Sequence, residues 1–307
     1  MTTGYITHPE CMQHEMGTGH PESPARLQAI NAALRAAKLW EALDHAIAPE
    51  ATREQLERAH DARYLDDLLA SIPQDGYAAL DPDTLINPHS WPAALRAAGA
   101  AIDAAERVIQ GAWHNAFCAV RPPGHHACRA RAMGFCLLNN VAIGVRHAQA
   151  AHGLERIAVI DFDVHHGNGT ADIFAGDQKV LMLSFFQHPF YPYTGADQSA
   201  NNLVNVPLPA GTDGALIRQV VEQVWQPRLE AFAPEMMFIS AGFDAHRDDS
   251  LGQMALTEAD YAWLTDWAMD QADRFAGSRL VSTLEGGYTL SALGASVAAH
   301  VRSLLRR

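Results

Sequence analysis

The sequence predicts a single α/β domain over residues 1–307, with a central, mostly parallel β-sheet flanked by helices. Two observations predict it. Short, continuously apolar runs, of the kind that suits strands covered on both faces, recur along the chain. Between them lie stretches with helical periodicity, and strands alternating with helices imply a parallel sheet.

The strands are read at 116–120, 157–160, 180–183, 237–241 and 280–284. Helices are expected near 22–40, 53–71, 91–110, 138–152, 213–231, 257–275 and 289–305, with Thr212-Asp213 and Thr257-Glu258 as helix starts. No repeat, low-complexity tract or linker divides the chain.

Composition narrows the function. The chain is 48% hydrophobic, enough for a sizeable core, and its mean hydropathy is −0.11. No apolar run is long enough to span a bilayer, and Met1-Thr2-Thr3-Gly4-Tyr5 carries no secretory pattern, so a cytoplasmic location is expected. Cys11, Cys118, Cys128 and Cys136 show no C-x-x-C spacing and read as reduced thiols. A net charge of −13 with only 22 Lys+Arg argues against a nucleic-acid surface.

The polar clusters carry the chemistry. Each follows an apolar run, so each falls at the C-terminal end of an expected strand, where ligands collect in open α/β sheets. In Asp161-Phe162-Asp163-Val164-His165-His166-Gly167-Asn168, alternation puts Asp161, Asp163 and His165 on one face. Carboxylate and imidazole side by side suit a divalent metal such as zinc, although a buried hydrogen-bond network uses the same groups. Asp244 is a candidate third ligand, which leaves a fourth position open; an Asp after a strand also serves as a helix cap. His125-His126 follow Pro122-Pro123-Gly124, which aims the two imidazoles, candidates for proton transfer. Tyr288, beyond Glu285-Gly286-Gly287, can donate a hydrogen bond to a developing oxyanion or serve as a packing residue.

Taken together, these segments resemble the histone deacetylase family, including bacterial deacetylase-like amidohydrolases and acetylpolyamine amidohydrolases. The matching stretches are His20-Pro21-Glu22, Arg121 through His126, Gly134-Phe135-Cys136, Asp161 through Thr170, Ser240 through His246 and Glu285 through Tyr288. They occur in the family's order and cover about residues 20–290. The resemblance implies a zinc-dependent deacetylase with zinc held by Asp163, His165 and Asp244. It makes His126 the main proton-transfer residue and His125 an electrostatic assistant, with Asp161 orienting His125 and Asn168 orienting His126. Asn at 168, where many class I relatives carry Asp, places the chain nearer class II and leaves the two histidines differently charged. The resemblance also implies potassium at Asp161 and Ser184, a tunnel lined by Gly134, Phe135 and Tyr191 with Leu251 at its rim, and Arg26 beneath the site. Relatives selective for polyamines carry Glu at the Leu251 position.

The implied substrate is an acetylated lysine in a peptide or protein, or a small acylated amine. Residues 5–20 and 72–92 are expected to form much of the rim. A homo-oligomer whose second subunit narrows the entrance is left open. Two rivals are an arginase-like hydrolase, which needs more bridging carboxylates than are assignable, and a silent acyl-amine binder, which usually lacks one of the reactive residues retained here.

Overall fold

A computed structural model describes residues 2–197 and 200–306. Its strands are β1 (Thr3–Thr7), β2 (Asp44–Ile47), β3 (Ala78–Ala79), β4 (Leu85–Ile86), β5 (Asn115–Cys118), β6 (Ile157–Asp161), β7 (Val180–Gln187), β8 (Leu203–Leu208), β9 (Met236–Ala241) and β10 (Leu280–Leu284). Eight form one sheet in the order β2-β1-β5-β10-β9-β6-β7-β8, while β3 and β4 form a separate small hairpin. Every pairing in the large sheet is parallel.

The helices are α1 (Ala25–Ala36), α2 (Arg53–Glu57), α3 (Ala62–Ala70), α4 (Ser90–Ile109), α5 (Asn140–His152), α6 (Asn168–Phe174), α7 (Gly214–Val220), α8 (Gln226–Phe232), α9 (Glu258–Phe275) and α10 (Leu290–Leu304). They cover both faces of the sheet, as the register shows. Phe117 lies beside Ser282, and their side chains meet His300 of α10. Phe238 belongs to the alternate set, and its ring lies against the backbone of Gly144 in α5, which also meets Ala101 of α4. Burial on both faces is why these central strands read as unbroken apolar runs.

All five strands read from apolar runs are present. β1, β2 and β8 escaped the reading for separate reasons. β1 carries Gly4 among threonines, because the Trp113 ring occupies the space a Cβ would take. β2 and β8 are edge strands; β2 is largely exposed and β8 contains Pro207, a residue confined to edges.

The helices depart from expectation in two places. The span 53–71 is split into α2 and α3 by Ala59-His60-Asp61, where Asp61 donates its N–H to Arg129 O. The span 213–231 is interrupted by a π turn at Val221–Trp225 between α7 and α8. Asp213 caps α7 by accepting from Leu216 N–H, and Thr257 opens α9 with its N–H donated to Asp260.

Among the described residues, no helix is long and apolar enough to cross a membrane.

Candidate functional site

Because the sheet is parallel, the C-terminal ends of its strands share one rim. The neighbours β5, β10, β9, β6 and β7 each deliver a polar segment there: Arg121–His126, Glu285–Tyr288, Gly242–His246, Asp161–Asn168 and Ser184 onward. Residues far apart in the chain thereby converge.

Asp163, His165 and Asp244 meet at the centre, buried, with one potential ligand atom from each lying within 4.8 Å of the others. His165 Nδ1 is 3.0 Å from Asp163 Oδ1 and 3.2 Å from Asp244 Oδ2. Backbone groups aim the carboxylates. Asp163 accepts from the N–H groups of His165 and Gly286, and Asp244 Oδ1 accepts from Val164 N–H at 3.0 Å. Asp244 Oδ2 is buried and faces His165 Nδ1. Two carboxylates and an imidazole converging at this spacing match the donor set of a zinc-type metal. Burial, reinforced by the charge of Asp163, pushes the Asp244 carboxyl up to about 7. Burial opposes ionisation of Asp163 as well, but His125 and His165 outweigh it and hold its pKa below the ordinary carboxylate range. The glycines around the cluster are spacers. A Cβ at Gly242 would collide with Asp163, and one at Gly286 with both carboxylates.

The two histidines stand side by side, ring centroids 4.0 Å apart, in different environments. His125 Nδ1 lies 3.0 Å from Asp161 Oδ2, and its Nε2 lies 3.7 Å from Asp163. Burial disfavours its charge, yet Asp163 and Asp161 outweigh that and hold His125 well above the usual imidazole range. His126 Nδ1 lies 2.7 Å from Asn168 Oδ1. Burial, then the charges of His125 and His165, push His126 well below that range.

The Asn168 amide is held the right way round by sulfur. Its Nδ2 donates to Cys128 Sγ at 3.3 Å and Met133 Sδ at 3.2 Å, so Oδ1 is left to accept from His126 Nδ1–H. With the proton on Nδ1, neutral His126 keeps its Nε2 lone pair free.

Above the cluster is a cavity of about 250 Å³ lined by Gly134, Phe135, Phe190, Tyr191, Leu251 and Tyr288, with His126, His165, Asp83 and Ser250. All four tunnel residues read from the resemblance lie in this wall. Gly134 and Phe135 both have positive φ, 56° and 68°. At Gly134 a side chain is excluded twice, because a Cβ would also lie 2.5 Å from the His126 ring. Phe135, held by its N–H to Thr84 Oγ1, packs edge-on against Tyr288.

Segment 72–92 contributes Asp83 to the wall, whereas no residue of 5–20 lines it. From that stretch His20 packs edge-on against Phe135, and His14 is buried between Ser90 and Glu22.

A buried ionic network adjoins the site. Arg26 lies 4.9 Å from the Tyr288 ring centroid and donates to the carbonyls of Gly287 and Glu285 and to Glu22. Arg121 grips both Glu22 oxygens and donates to the carbonyls of Cys11 and His14. Burial works against Glu22 ionising, but Arg121 outweighs it and holds the carboxyl well below its ordinary range.

Sequence reasoning passed over Asp83, Phe190 and Ser250 in the wall, and gave Glu285 no role at the site. Phe190 and Ser250 could have been found as chain neighbours of Tyr191 and Leu251. Glu285 Oε2 accepts from the N–H groups of Gly124 and His125 and so fixes the histidine loop. Ser184 lies beside Asp161 in register across β6 and β7, both buried.

The model of the histone deacetylase domain matches residues 20–304. The chain belongs to the histone deacetylase family. Its relatives include a type-2 histone deacetylase 2 of Dictyostelium discoideum, 35% identical over 98% of this chain. This chain spans only 20% of that protein's length. A histone deacetylase-like amidohydrolase of Pseudomonas aeruginosa is 38% identical, covering 91% of this chain and 75% of the relative. A probable deacetylase of Archaeoglobus fulgidus is 38% identical, covering 94% and 82%. The crystal structure of the HDA15 HD domain superposes with a TM-score of 0.94 at 36% identity, covering 100% of this chain and 88% of that one. Family membership supports a hydrolase of the deacetylase class, and the α/β fold with its parallel sheet is the family's.

Proposed function

We propose that this histone deacetylase family member is a zinc-dependent amide hydrolase that releases an acyl group from acetyl-lysine or a related acylated primary amine. The observation that carries the reading is the convergence of Asp163, His165 and Asp244 at a cavity that His126 and Tyr288 also line. Asp163, His165 and Asp244 would hold the zinc, which when bound supplies Lewis-acid polarisation and makes water nucleophilic near neutral pH.

The protein's own groups do the rest. Gly134, Phe135, Tyr191 and Leu251 surround the aliphatic stem of the substrate, the last at the rim. His126 Nε2 takes a proton from the attacking water and returns it to the departing nitrogen, giving a carboxylic acid and a primary amine. His125, kept cationic by Asp161 and Asp163, adds positive charge beside the developing oxyanion. Burial, with Asp244 beside it, holds Tyr288 well above the ordinary phenol pKa, so it acts as an O–H donor to that oxyanion. Asp161 and Ser184, with main-chain oxygens, are the proposed potassium ligands.

The test is kcat/KM of zinc-reconstituted protein on an acetyl-lysine peptide and on an acetylated polyamine. A strong preference for the peptide is expected, because Leu251 offers no charge to a distant ammonium. Polyamine preference would transfer specificity to the loops or to a second subunit. Hydrolysis of neither, with zinc bound, would refute the proposed activity.

A further inference from the structure

The helix α5 starts beside the histidine loop, where Asn140 Nδ2 donates to Pro122 O, and runs away for 13 residues. At 1.5 Å per residue it is about 20 Å long, with His147 near its middle and His152 at its end. Glu106 of α4 meets both imidazoles. We propose that Glu106, His147 and His152 form a second metal site, for a divalent transition cation of the zinc class, that staples α4 to α5.

Both imidazoles point Nε2 at one carboxylate oxygen. Glu106 Oε1 lies 2.6 Å from His147 Nε2 and 2.8 Å from His152 Nε2. Two nitrogens and a carboxylate oxygen form a zinc-type donor set. Tetrahedral zinc holds neighbouring ligand atoms about 3.3 Å apart, so the carboxylate must retreat by about half an ångström. It is able to, because the Glu106 side chain is 27% exposed. His152, with its side chain 23% exposed, leaves the remaining coordination positions to solvent. Its backbone is fixed, since Gly153 ends the helix at φ 69° and donates its N–H to Gln149 O. Burial opposes ionisation of Glu106, but its hydrogen bonds with His147 and His152 outweigh it and keep it anionic.

One residue competes with the ion. Arg58 Nη1 directs an N–H at His147 Nδ1 from 3.2 Å, while its Nη2 donates to Glu54. A neutral imidazole that accepts at Nδ1 carries its proton on Nε2, the nitrogen the metal needs. Metal entry therefore moves the proton to Nδ1 and turns Arg58 out to solvent.

The experiment titrates zinc into the whole chain, freed of metal by chelation, and reads equivalents bound by equilibrium dialysis. Two classes of site are expected in the wild type. Glu106→Gln and His152→Ala should each lose the weaker one while keeping their far-UV circular dichroism, and Asp244→Asn should weaken only the tighter one. Arg58→Gln should tighten the weaker class about tenfold, as for loss of a competing charged hydrogen bond. A single equivalent in the wild type, or the weaker equivalent retained in both Glu106→Gln and His152→Ala, overturns the site. Unchanged affinity in Arg58→Gln overturns the competition.

Discussion

Replacing Gly286 by alanine adds one carbon at the most crowded point of the cluster. The new Cβ would lie 2.6 Å from Asp163 Oδ2 and 2.7 Å from the Asp244 carboxylate carbon, and closer still to Asp244 Oδ2. Ordinary contact begins near 3.4 Å, so the Asp163 oxygen must retreat by about 0.8 Å and the Asp244 carboxylate by more. A metal site tolerates only about 0.2 Å in its ligand distances. Two of the three proposed ligands therefore leave their positions together, and neither can return, because Gly286 is clamped by its N–H to Asp163 and by the neighbouring carbonyls held on Arg26. The expected result is a loss of zinc affinity of at least about a hundredfold, beyond the range found for disturbed outer ligands. Competition against a chromophoric chelator measures it, with near-UV circular dichroism checking that the fold is retained. Wild-type zinc affinity in a folded Gly286→Ala protein would refute the assignment of these carboxylates as ligands.

Four further outcomes are expected. Asn168→Asp puts a carboxylate on His126 Nδ1 and should raise its pKa by about 1–3 units; because the base must be unprotonated, the acidic limb of the kcat/KM profile should move to higher pH, and an unmoved limb would remove Asn168 from control of His126. Tyr288→Phe should lower kcat about a hundredfold or more, as for a lost oxyanion donor, and a near-wild-type rate would exclude that role. Asp244→Asn should lose zinc on dialysis; retained metal would contradict its place as a ligand. Glu22→Gln leaves Arg26 and Arg121 facing each other without their shared anion and should cost about 3–5 kcal/mol in urea unfolding. Glu22's folded pKa is depressed, so its contribution is complete above the unfolded carboxyl value and disappears as pH falls toward the folded one; the mutant should therefore show less acid destabilisation than the wild type between about pH 5 and pH 2.

Much of the fold was legible because burial on both faces writes itself into a strand as an unbroken apolar run. Ile157–Ile160 and Met237–Ala241 are such strands. β1 was not legible, since its space is set by Trp113 from a distant loop and its sequence, Thr-Gly-Tyr-Ile-Thr, carries no period of its own. The break in 53–71 falls at His60 and Asp61, which bond to the distant backbone of Cys128 and Arg129.

The site divides in the same way. Asp161, Asp163, His165, His125, His126, Asp244 and Tyr288 could be picked out because strand ends in a parallel sheet meet at one rim, so polar residues after each apolar run are brought together. Residue type and alternation, together with the family resemblance, suggested Asp163, His165 and Asp244 as a candidate metal donor set, and the three side chains do meet. What only the tertiary structure decided is how each group behaves. Nothing near Glu285 in the chain says that it holds the histidine loop from 160 residues away. Nothing near Asn168 says that Cys128 and Met133 turn its amide to face His126. Nor does loop 5–20 announce that Glu22, Ser90 and Arg121 hold parts of it in the interior. Residue type and strand order are properties of the chain, whereas desolvation, tautomer and the direction of a hydrogen bond depend on neighbours that meet only when it folds.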